Sequence, residues 1–239
     1  MPSAKFPGFS PQALAFLRGL ERNNKREWFQ PRKHIYEEFI RGPLDQLIEC
    51  INAEFAECAP RYVTPVAKAR FRIYRDVRFS HDKRPYKTRA AAAWYLQSMS
   101  KTAGGCFYCH FTAKELLIFA GVYLPERLEL LAIRNLLAQR HQDFRALLRS
   151  RTLRKHMGEL QGEQVSRIPK GFDKFHPAED LLRRRQWFVE AVMEPDCITR
   201  ARLLPEIMTR FRAAIPLVEF LNQPFLTQRS PRKLPFMAF

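Results

Sequence analysis

One segment decides how the fold is interpreted, and it runs Arg70-Phe-Arg-Ile-Tyr-Arg-Asp-Val-Arg-Phe-Ser-His-Asp-Lys-Arg-Pro-Tyr-Lys-Thr88. Its first ten residues alternate between apolar and polar side chains, so residues 70–79 are predicted to form a half-buried β-strand that ends in a turn. The apolar face of this strand consists of Phe71, Ile73, Val77 and Phe79. Arg75 interrupts that face, and we expect it to be substantially buried beside a carboxylate or a bound anion that offsets its desolvation. The segment therefore predicts where a site lies, although it does not identify a reaction.

Positive charge is concentrated around this segment. Residues 61–90 contain ten Lys or Arg and two Asp, a net charge of +8 out of the +17 of the whole chain. Clustered positive charge is typical of proteins that bind phosphate-bearing partners, and a solvated charged surface is the alternative. Aromatic rings between the cations favour the first interpretation, because they can stack on a partner's rings. These rings belong to Phe71, Tyr74, Phe79 and Tyr86.

Length and composition predict one globular domain. The chain has 239 residues, of which 46% are hydrophobic, and we predict a single domain over residues 1–223 and a Pro-rich basic tail over 224–239. No apolar run reaches about 18 residues, the length of a membrane span, and the first residues lack the apolar core of a signal peptide. Five scattered cysteines do not suggest a disulfide framework. We therefore expect a cytoplasmic protein without a membrane partner.

Helical signals lie on both sides of the segment. Ser10 is a predicted N-cap with Pro11 at the first helical position, and Asn23-Asn24 is expected to end this helix. An apolar stripe after Gly42-Pro43 predicts a buried helical face made of Leu44, Leu47, Ile48, Ile51 and Phe55. Pro125 is predicted to open a helix whose apolar face is Leu128, Leu131, Ala132 and Leu136. Further helices are predicted from near Lys25 and over 142–150, 177–191 and 200–221.

Strand-like alternation is confined to the middle of the chain. The predicted strands cover residues 70–79, 89–96, 105–112 and 116–123, joined by short polar connections. Neighbouring strands with such short connections form an antiparallel meander. Grouped strands between helical segments indicate the α+β class, with a sheet of about four or more strands packed by N-terminal and C-terminal helices.

Several motifs resemble one known family. The motif Arg75-Asp-Val-Arg-Phe-Ser-His-Asp-Lys-Arg-Pro-Tyr-Lys-Thr88 is similar to the hallmark of the domain-of-unknown-function 2461 proteins. Matching blocks occur in order at Gly8–Ser10, Asn23–Phe29, Gly105–His110, Ala132–Arg134 and Pro169–Pro177. The chain departs from the pattern at His81, where a lysine is usual, and at Cys106 and Cys109, where aromatic residues are usual. The resemblance implies one compact intracellular domain and no particular reaction.

The turn Ser80–Thr88 has the composition of an anion cradle. Arginine forks, lysines and hydroxyl groups suit a phosphate, and we predict that the ligand-binding residues are Arg72, Arg75, Arg78, Lys83, Tyr86 and Lys87. Asp76 and Asp82 are the candidate carboxylates for general base catalysis or for a metal. The alternative is structural, because a salt bridge from Arg75 to Asp82 or Asp76 would hold the turn against the sheet.

Cys106-Phe-Tyr-Cys109-His110 formally matches the attachment motif of a c-type haem. We reject haem binding because the motif lies in an alternating strand, which points the two sulfurs to opposite faces, and because no export signal precedes it. The same alternation disfavours a shared metal. His110 lies on the face of Tyr108 and is a candidate catalytic residue, with a core histidine as the alternative.

The segment Lys170–Pro177 reads as a loop that leads into a helix. Asp173 and His176 could form an acid–base pair, whereas an N-cap role for His176 is the favoured alternative. The arginines of 149–155 and 183–185 are predicted to cover solvated helix faces. No phosphate-binding glycine loop, dinucleotide fingerprint, zinc-protease motif or nucleophile elbow is present.

Two classes of function remain, and binding is favoured over catalysis because cations and aromatic rings are abundant whereas no catalytic constellation is visible. We predict that the protein binds nucleic acid or a phosphorylated small molecule. The first alternative is an enzyme on such a ligand, for example a metal-dependent hydrolase or nuclease, with catalytic candidates Asp76, Asp82, His110 and His176. The second alternative is a protein-interaction scaffold. No cofactor, metal-ligand set or oligomeric state is predicted.

Overall fold

A computed structural model describes residues 5–99, 101 and 103–226 of the chain. Its centre is a four-stranded antiparallel sheet in the order β1-β2-β3-β4, with helices before it and after it, which confirms the predicted α+β class. The strands are β1 Ala90–Tyr95, β2 Cys106–Phe111, β3 Leu116–Val122 and β4 Trp187–Met193. The first three are the predicted strands of the meander, each within one residue of its predicted bounds at either end.

The helices form an N-terminal group and a C-terminal group. The first group is α1 Pro11–Arg22, α2 Arg26–Phe29, α3 Lys33–Tyr36, α4 Gly42–Cys58 and α5 Val66–Ala69. The second group is α6 Arg127–Leu148, α7 Arg151–Met157, α8 Glu179–Leu182 and α9 Leu203–Leu226. In the described part of the chain, no helix is both long enough and apolar enough to cross a bilayer.

The start of the chain follows its local signals. The Ser10 side chain accepts a hydrogen bond from the Gln12 amide, and Asn23 caps the C-terminus of α1, as predicted. Before α4, the helix runs through a π-helical turn over Glu37–Arg41. All five residues of the predicted α4 stripe are buried, and α4 packs against α9. Capping and a 3.6-residue period therefore predicted this half of the fold well.

One face of the sheet lies in the main core. Register alternation places Trp94, Phe107, Ile118 and Val189 on that face, where α9 packs against β3. The other face carries a smaller apolar cluster of Cys106, Phe119 and Phe188, surrounded by Tyr95, Tyr108 and Leu117. Cys106 and Cys109 lie on opposite faces, as strand alternation predicts.

The fourth strand was not predicted. Residues 177–191 were expected to form one helix, but α8 covers only Glu179–Leu182, and the chain then pairs with β3 as β4. The aromatic and β-branched start of β4 suits a strand buried on the core side. Gly121 in β3 has φ +134°, and a Cβ there would lie 2.3 Å from the Trp187 carbonyl oxygen, so glycine allows the two strands to approach.

The predicted strand over residues 70–79 is wrong, because this segment forms two isolated bridges, Arg70 with Ala92 and Tyr74 with Tyr86. Between these bridges the returning chain is two residues longer than the outgoing chain, so one continuous ladder cannot form. Asp76 and Asp82 also accept hydrogen bonds from the amides two residues ahead, at Arg78 and Arg84. Such turns compete with strand pairing. The apolar–polar alternation of the sequence gives no sign of this competition.

The apolar face predicted for α6 is only partly correct. Leu128 is 78% exposed and Leu131 is 48% exposed, whereas Ile133, Leu137 and Phe144 are buried. Leu136 of the predicted face packs against the core, as does Leu130, so the buried face of α6 is rotated relative to the prediction. The predicted helix 142–150 is the last part of α6, after a kink at Arg140.

The C-terminal helix α9 extends the predicted helix 200–221 as far as Leu226. The first residues of the predicted tail, 224–226, are therefore helical, and residues 227–239 lie outside the described chain. At the end of α9, the Asn222 side chain bonds the amide and the carbonyl of Gly105 and also the Tyr62 hydroxyl. These bonds tie α9 to the start of β2.

Candidate functional site

The bent segment from Arg70 to Arg89, which we call the basic hairpin, is the region where most of the predicted site residues lie. It contacts the edge strand β1 through the Phe71 amide, which donates to the Ala91 carbonyl at 2.9 Å. Its two arms are joined by two bonds, Arg75 amide to Pro85 carbonyl at 2.9 Å and Lys87 amide to Ile73 carbonyl at 2.7 Å. The cations of the hairpin are held near one another because they are close in the sequence and because these hydrogen bonds join the two arms.

Tyr86 anchors the returning arm of the basic hairpin in the core. The Asn24 side chain bonds both backbone groups of Tyr86, at 3.0 Å to the amide and 2.9 Å to the carbonyl. The Tyr86 ring stacks on Phe29 at 4.1 Å between centroids and is only 2% exposed. Tyr86 was predicted to bind a ligand, and the structure instead places its ring in the packing that holds the hairpin.

A cleft of about 190 Å³, the hairpin cleft, opens beside the returning arm. Its lining residues are Arg75, Asp82, Arg84, Tyr86, Lys87, Thr88 and Arg89. These include four cations and one carboxylate, a net charge of +3. Of the predicted ligand-binding residues, Arg75, Tyr86 and Lys87 line this cleft, whereas Arg72, Arg78 and Lys83 are exposed elsewhere on the basic hairpin.

Asp82 is the centre of an ion-pair network in the hairpin cleft. One of its oxygens lies 2.6 Å from Arg75 Nη1 and 2.7 Å from Arg84 Nη2, and its other oxygen accepts the Arg84 amide at 3.1 Å. Hydrogen bonds from Arg84 and Arg75 hold the pKa of Asp82 well below its usual range. This arrangement agrees with the structural alternative for Arg75, whose side chain is 25% exposed and therefore partly rather than fully buried.

Asp76 forms a separate pair with Arg78, with oxygens 3.0 Å from Nε and 2.7 Å from Nη2. These hydrogen bonds lower the pKa of Asp76. Both candidate carboxylates are therefore weak bases engaged by arginines, a poor starting point for general base catalysis. Within the described residues, no group of three or more His, Cys, Asp or Glu is placed to hold a metal ion.

Four cations of the basic hairpin lack such neutralisation. No residue that the structure describes forms a salt bridge with Arg72, Lys83, Lys87 or Arg89. Burial lowers the pKa of Lys87, and the charges of Arg89 and Arg72 lower it further. The Lys87 ammonium also lies 5.4 Å from the centre of the Phe71 ring. Unneutralised cations that repel one another form a site that favours an added anion.

Phe79 lies in the loop between the two arms of the basic hairpin. Its ring is 95% exposed, and the Arg78 guanidinium lies 5.8 Å from the ring centre. Lys83, in the same loop, donates to the Val77 carbonyl at 3.1 Å. Phe79 was expected on a buried strand face, and its exposure makes the ring available for contact with a partner.

His110 lies on the outer face of β2 and is 8% exposed. Its Nε2 lies 3.6 Å from a Glu115 oxygen, while its Nδ1 is buried without a hydrogen-bond partner in the described chain. Burial is the main cause of the lowered pKa of His110, and Arg89 lowers it further while Glu115 opposes the shift. Arg89 thus acts on His110 and also lines the hairpin cleft.

His176 and Asp173 lie apart from the basic hairpin in sequence, and each bonds its own local backbone. His176 Nδ1 accepts the Ala178 amide at 3.0 Å, and an Asp173 oxygen accepts the Phe175 amide at 2.9 Å. The N-cap role that was favoured for His176 is wrong, because α8 begins at Glu179 with Ala178 as its N-cap, and the His176 side chain instead closes a turn just before the helix.

A second basic cleft, of about 350 Å³, was missed by sequence reasoning, and we call it the arginine cleft. Its cations are Arg145, Arg149, Arg154 and Arg184. Three of them, Arg149, Arg154 and Arg184, belong to runs that were predicted to cover solvated helix faces, and the packing of α6, α7 and α8 brings them together with Arg145. The signal in the sequence was the density of arginine in those runs.

The family model described as conserved hypothetical protein, DUF2461, matches residues 12–220. The chain therefore belongs to this family, as its motifs had indicated. Among curated proteins, no match to the chain is found.

Proposed function

We propose that this DUF2461 protein binds single-stranded nucleic acid through the basic hairpin, with the phosphates in the hairpin cleft. One observation carries the proposal: Lys87 and Arg89 line the hairpin cleft without a salt bridge to any described residue, and the charges of Arg89 and Arg72 both act on Lys87. A phosphate placed there would relieve the repulsion among these cations and release its own counterions.

The size of the hairpin cleft favours a long polyanion over a small molecule. Its volume of about 190 Å³ is below the roughly 300–1,000 Å³ typical of small-molecule pockets. Thr88 adds a hydroxyl beside the cations, and the exposed rim lets a chain enter and leave. A phosphate within a strand fits such a shallow basic cleft, because neighbouring phosphates can contact the other cations of the hairpin.

Phe79 supports a single strand as the partner. Its ring is 95% exposed beside Arg78, and an exposed ring among cations is the usual platform for base stacking in proteins that bind single strands. Unpaired bases offer free faces to such a ring, whereas bases stacked inside a duplex do not.

The test is a titration of fluorescein-labelled oligothymidine, followed by fluorescence anisotropy at several salt concentrations. We expect binding at low salt that weakens steeply as salt rises, because each phosphate contact releases counterions. Lys87→Met and Arg89→Met together should weaken binding by about tenfold or more. The matched control is Lys68→Met, which removes one exposed cation of α5 outside the cleft.

An affinity that does not change with salt concentration would contradict the proposal. So would a loss of affinity per removed charge that is the same in the double variant and in Lys68→Met. Competition with heparin distinguishes specific binding of nucleic acid from nonspecific attraction between charges. If heparin displaces the oligonucleotide as well as unlabelled oligothymidine does, only nonspecific attraction between charges remains.

A second candidate, hydrolysis of a phosphate ester, is supported by His110. Its lowered pKa keeps the imidazole neutral near pH 7, so it can act as a base, and Arg89 lies close enough to influence it. Turnover of bis(p-nitrophenyl) phosphate, lost in His110→Gln and kept in the exposed control His81→Gln, would support catalysis. Absence of turnover in the parent protein, with and without added Mg²⁺, would remove this candidate.

A further inference from the structure

The arginine cleft differs from the hairpin cleft in how it is built. Arg145 and Arg149 come from the end of α6 and the residue after it, Arg154 comes from α7, and Arg184 follows α8. Four guanidinium groups therefore meet at the junction of three helices. Arg145 and Arg154 lie within helices, whereas Arg149 and Arg184 lie just after helix ends, so the packing of the three helices determines where the four backbones lie.

Two of the four arginines have carboxylate partners. Arg145 lies 2.5 Å from an Asp180 oxygen and also donates to the Pro177 carbonyl at 3.2 Å, while Arg154 lies 2.5 Å from a Glu159 oxygen. The carboxylate side chains are 54% and 77% exposed, so these pairs are open to solvent and exchange partners at low cost.

The other two arginines form no salt bridge among the described residues, although the charge of Asp180 acts on Arg184. Arg149 is exposed and forms no salt bridge there, and Arg184 donates from Nη1 to the Gly162 carbonyl at 3.2 Å. Arg184 Nε is buried and has no hydrogen-bond partner. Burial also lowers the pKa of Arg184, although its guanidinium stays charged at neutral pH. A buried donor without an acceptor is costly, so an anion that reaches it gains affinity.

Three leucines line the arginine cleft together with the guanidinium groups, namely Leu148, Leu160 and Leu181. The hairpin cleft has no leucine, isoleucine or valine among the described residues that line it. The volume of the arginine cleft, about 350 Å³, lies within the roughly 300–1,000 Å³ range of small-molecule pockets. A ligand that fits such a lining has a strongly anionic group and a compact apolar part.

We propose that the arginine cleft is a second, independent binding site for a small phosphate monoester whose ring or hydrocarbon part lies against the three leucines. A phosphate dianion matches the two unpaired guanidinium groups in charge, and planar guanidinium forks bind its oxygens in pairs. The site does not depend on the basic hairpin or on nucleic-acid binding.

The test is isothermal titration of the full chain with phenyl phosphate, inorganic phosphate and phenyl sulfate. We expect phenyl phosphate to bind more tightly than inorganic phosphate, because the ring gains apolar contact, and more tightly than phenyl sulfate, which carries a single charge. Arg149→Met and Arg184→Met should each weaken phenyl phosphate binding by about tenfold.

Two control variants separate this site from charge in general. Arg151→Met removes an exposed arginine next to the cleft that does not line it, and Arg89→Met removes a cation of the hairpin cleft. Both should bind phenyl phosphate as the parent protein does. Thermal unfolding checks each variant, and Arg149→Met, at an exposed position, provides the test if Arg184→Met loses stability.

Three results would overturn the proposal. The first is no binding of phenyl phosphate, and the second is an equal loss of affinity in Arg149→Met and Arg151→Met. The third is a loss in Arg89→Met as large as in Arg149→Met, which would assign phenyl phosphate to the hairpin cleft. None of these results bears on the salt-dependent binding of oligothymidine, so the two proposals can fail separately.

Discussion

The basic hairpin and the arginine cleft obtain similar charge in different ways. The hairpin cleft takes its cations from residues 75–89 of one turn, with Asp82 in the same turn neutralising part of that charge. The arginine cleft draws its cations from residues 145–184, in or just after three helices. A local cluster can be recognised in the sequence, but much of its charge is used within the turn. A cluster assembled by packing cannot be recognised in this way. It leaves Arg149 and Arg184 without a salt bridge among the described residues and adds leucines to the lining of the cleft.

The two regions also differ in how they are attached to the core. The basic hairpin is held mainly through the backbone of Tyr86 and the stacking of its ring, whereas the arginine cleft lies directly on helices that pack against the sheet and α9. Damage to the anchor of the hairpin should therefore cost stability, while changes to exposed charges in either region should alter binding.

The largest effect is expected from Asn24→Ala. This change leaves the amide and the carbonyl of Tyr86 buried without partners, so the free energy of unfolding should fall by about 2–4 kcal/mol. Urea denaturation followed by tryptophan fluorescence measures it. Asn23→Ala, at the exposed neighbour, should cost about 1 kcal/mol or less. Equal losses in the two variants would show that the Asn24 contacts do not anchor the hairpin.

The next effect is expected from Asp82→Asn, which releases Arg75 and Arg84 from their shared carboxylate. Oligothymidine affinity should rise by about fivefold at low salt. Asp76→Asn is the control, because Asp76 pairs with Arg78 outside the cleft. A larger gain in the control than in Asp82→Asn would place the binding surface at the loop tip.

We expect the stability of the fold to depend on pH through the ion pairs of Asp82. The folded state lowers the pKa of Asp82 below the value of 3.8, so its ion pairs stabilise the fold above about pH 4, and this contribution is lost as pH falls further. The difference in unfolding free energy between the parent protein and Asp82→Asn should therefore shrink below that pH. A difference that grows in acid would contradict the sign of this linkage.

A smaller effect is expected from Asp180→Asn, the matching change in the arginine cleft. It frees Arg145, so phenyl phosphate affinity should rise by about threefold, less than the effect at Asp82 because this carboxylate holds one arginine and is 54% exposed. Oligothymidine affinity should stay unchanged. If Asp180→Asn alters both ligands, the two clefts are not separate sites.

The smallest effect is a gain of stability in Lys87→Met. The lowered pKa of Lys87 means that its charge is disfavoured in the folded state, so its removal should stabilise the fold by under about 1 kcal/mol. The gain should shrink as pH rises through the lowered pKa towards 10.5, since the parent Lys87 is then neutral in both states. A loss of stability together with unchanged oligothymidine binding would contradict both the repulsion and the site.

Predictions from caps and periodicity were accurate for several elements, although not for the strand 70–79 or for the whole apolar face of α6. The Ser10 cap, the α4 stripe and the strands β1 to β3 follow from capping and from periods of 3.6 and 2, which neighbouring residues alone determine. The motif blocks also identified the family correctly. The pairing of Arg75 with Asp82 was open to prediction because only seven residues separate the two side chains.

The alternation of apolar and polar residues did not predict three features. The pairing of β4 with β3 relies on the close approach that Gly121 permits, and the strand pattern of 70–79 yields to turns closed by Asp76 and Asp82. Phe79 is an example. Its place in the alternation predicts a buried ring, but the turn leaves the ring 95% exposed.

The sequence by itself determined the fold class, most of the elements and the location of a basic site, because periodicity, caps and charge density are local properties. Only the tertiary structure decided which cations are neutralised, that Tyr86 is an anchor, and that arginines in or just after three helices line one cleft. The physical reason is that ion pairing and burial depend on distances in space, and these depend on how α6, α7 and α8 pack beside the sheet.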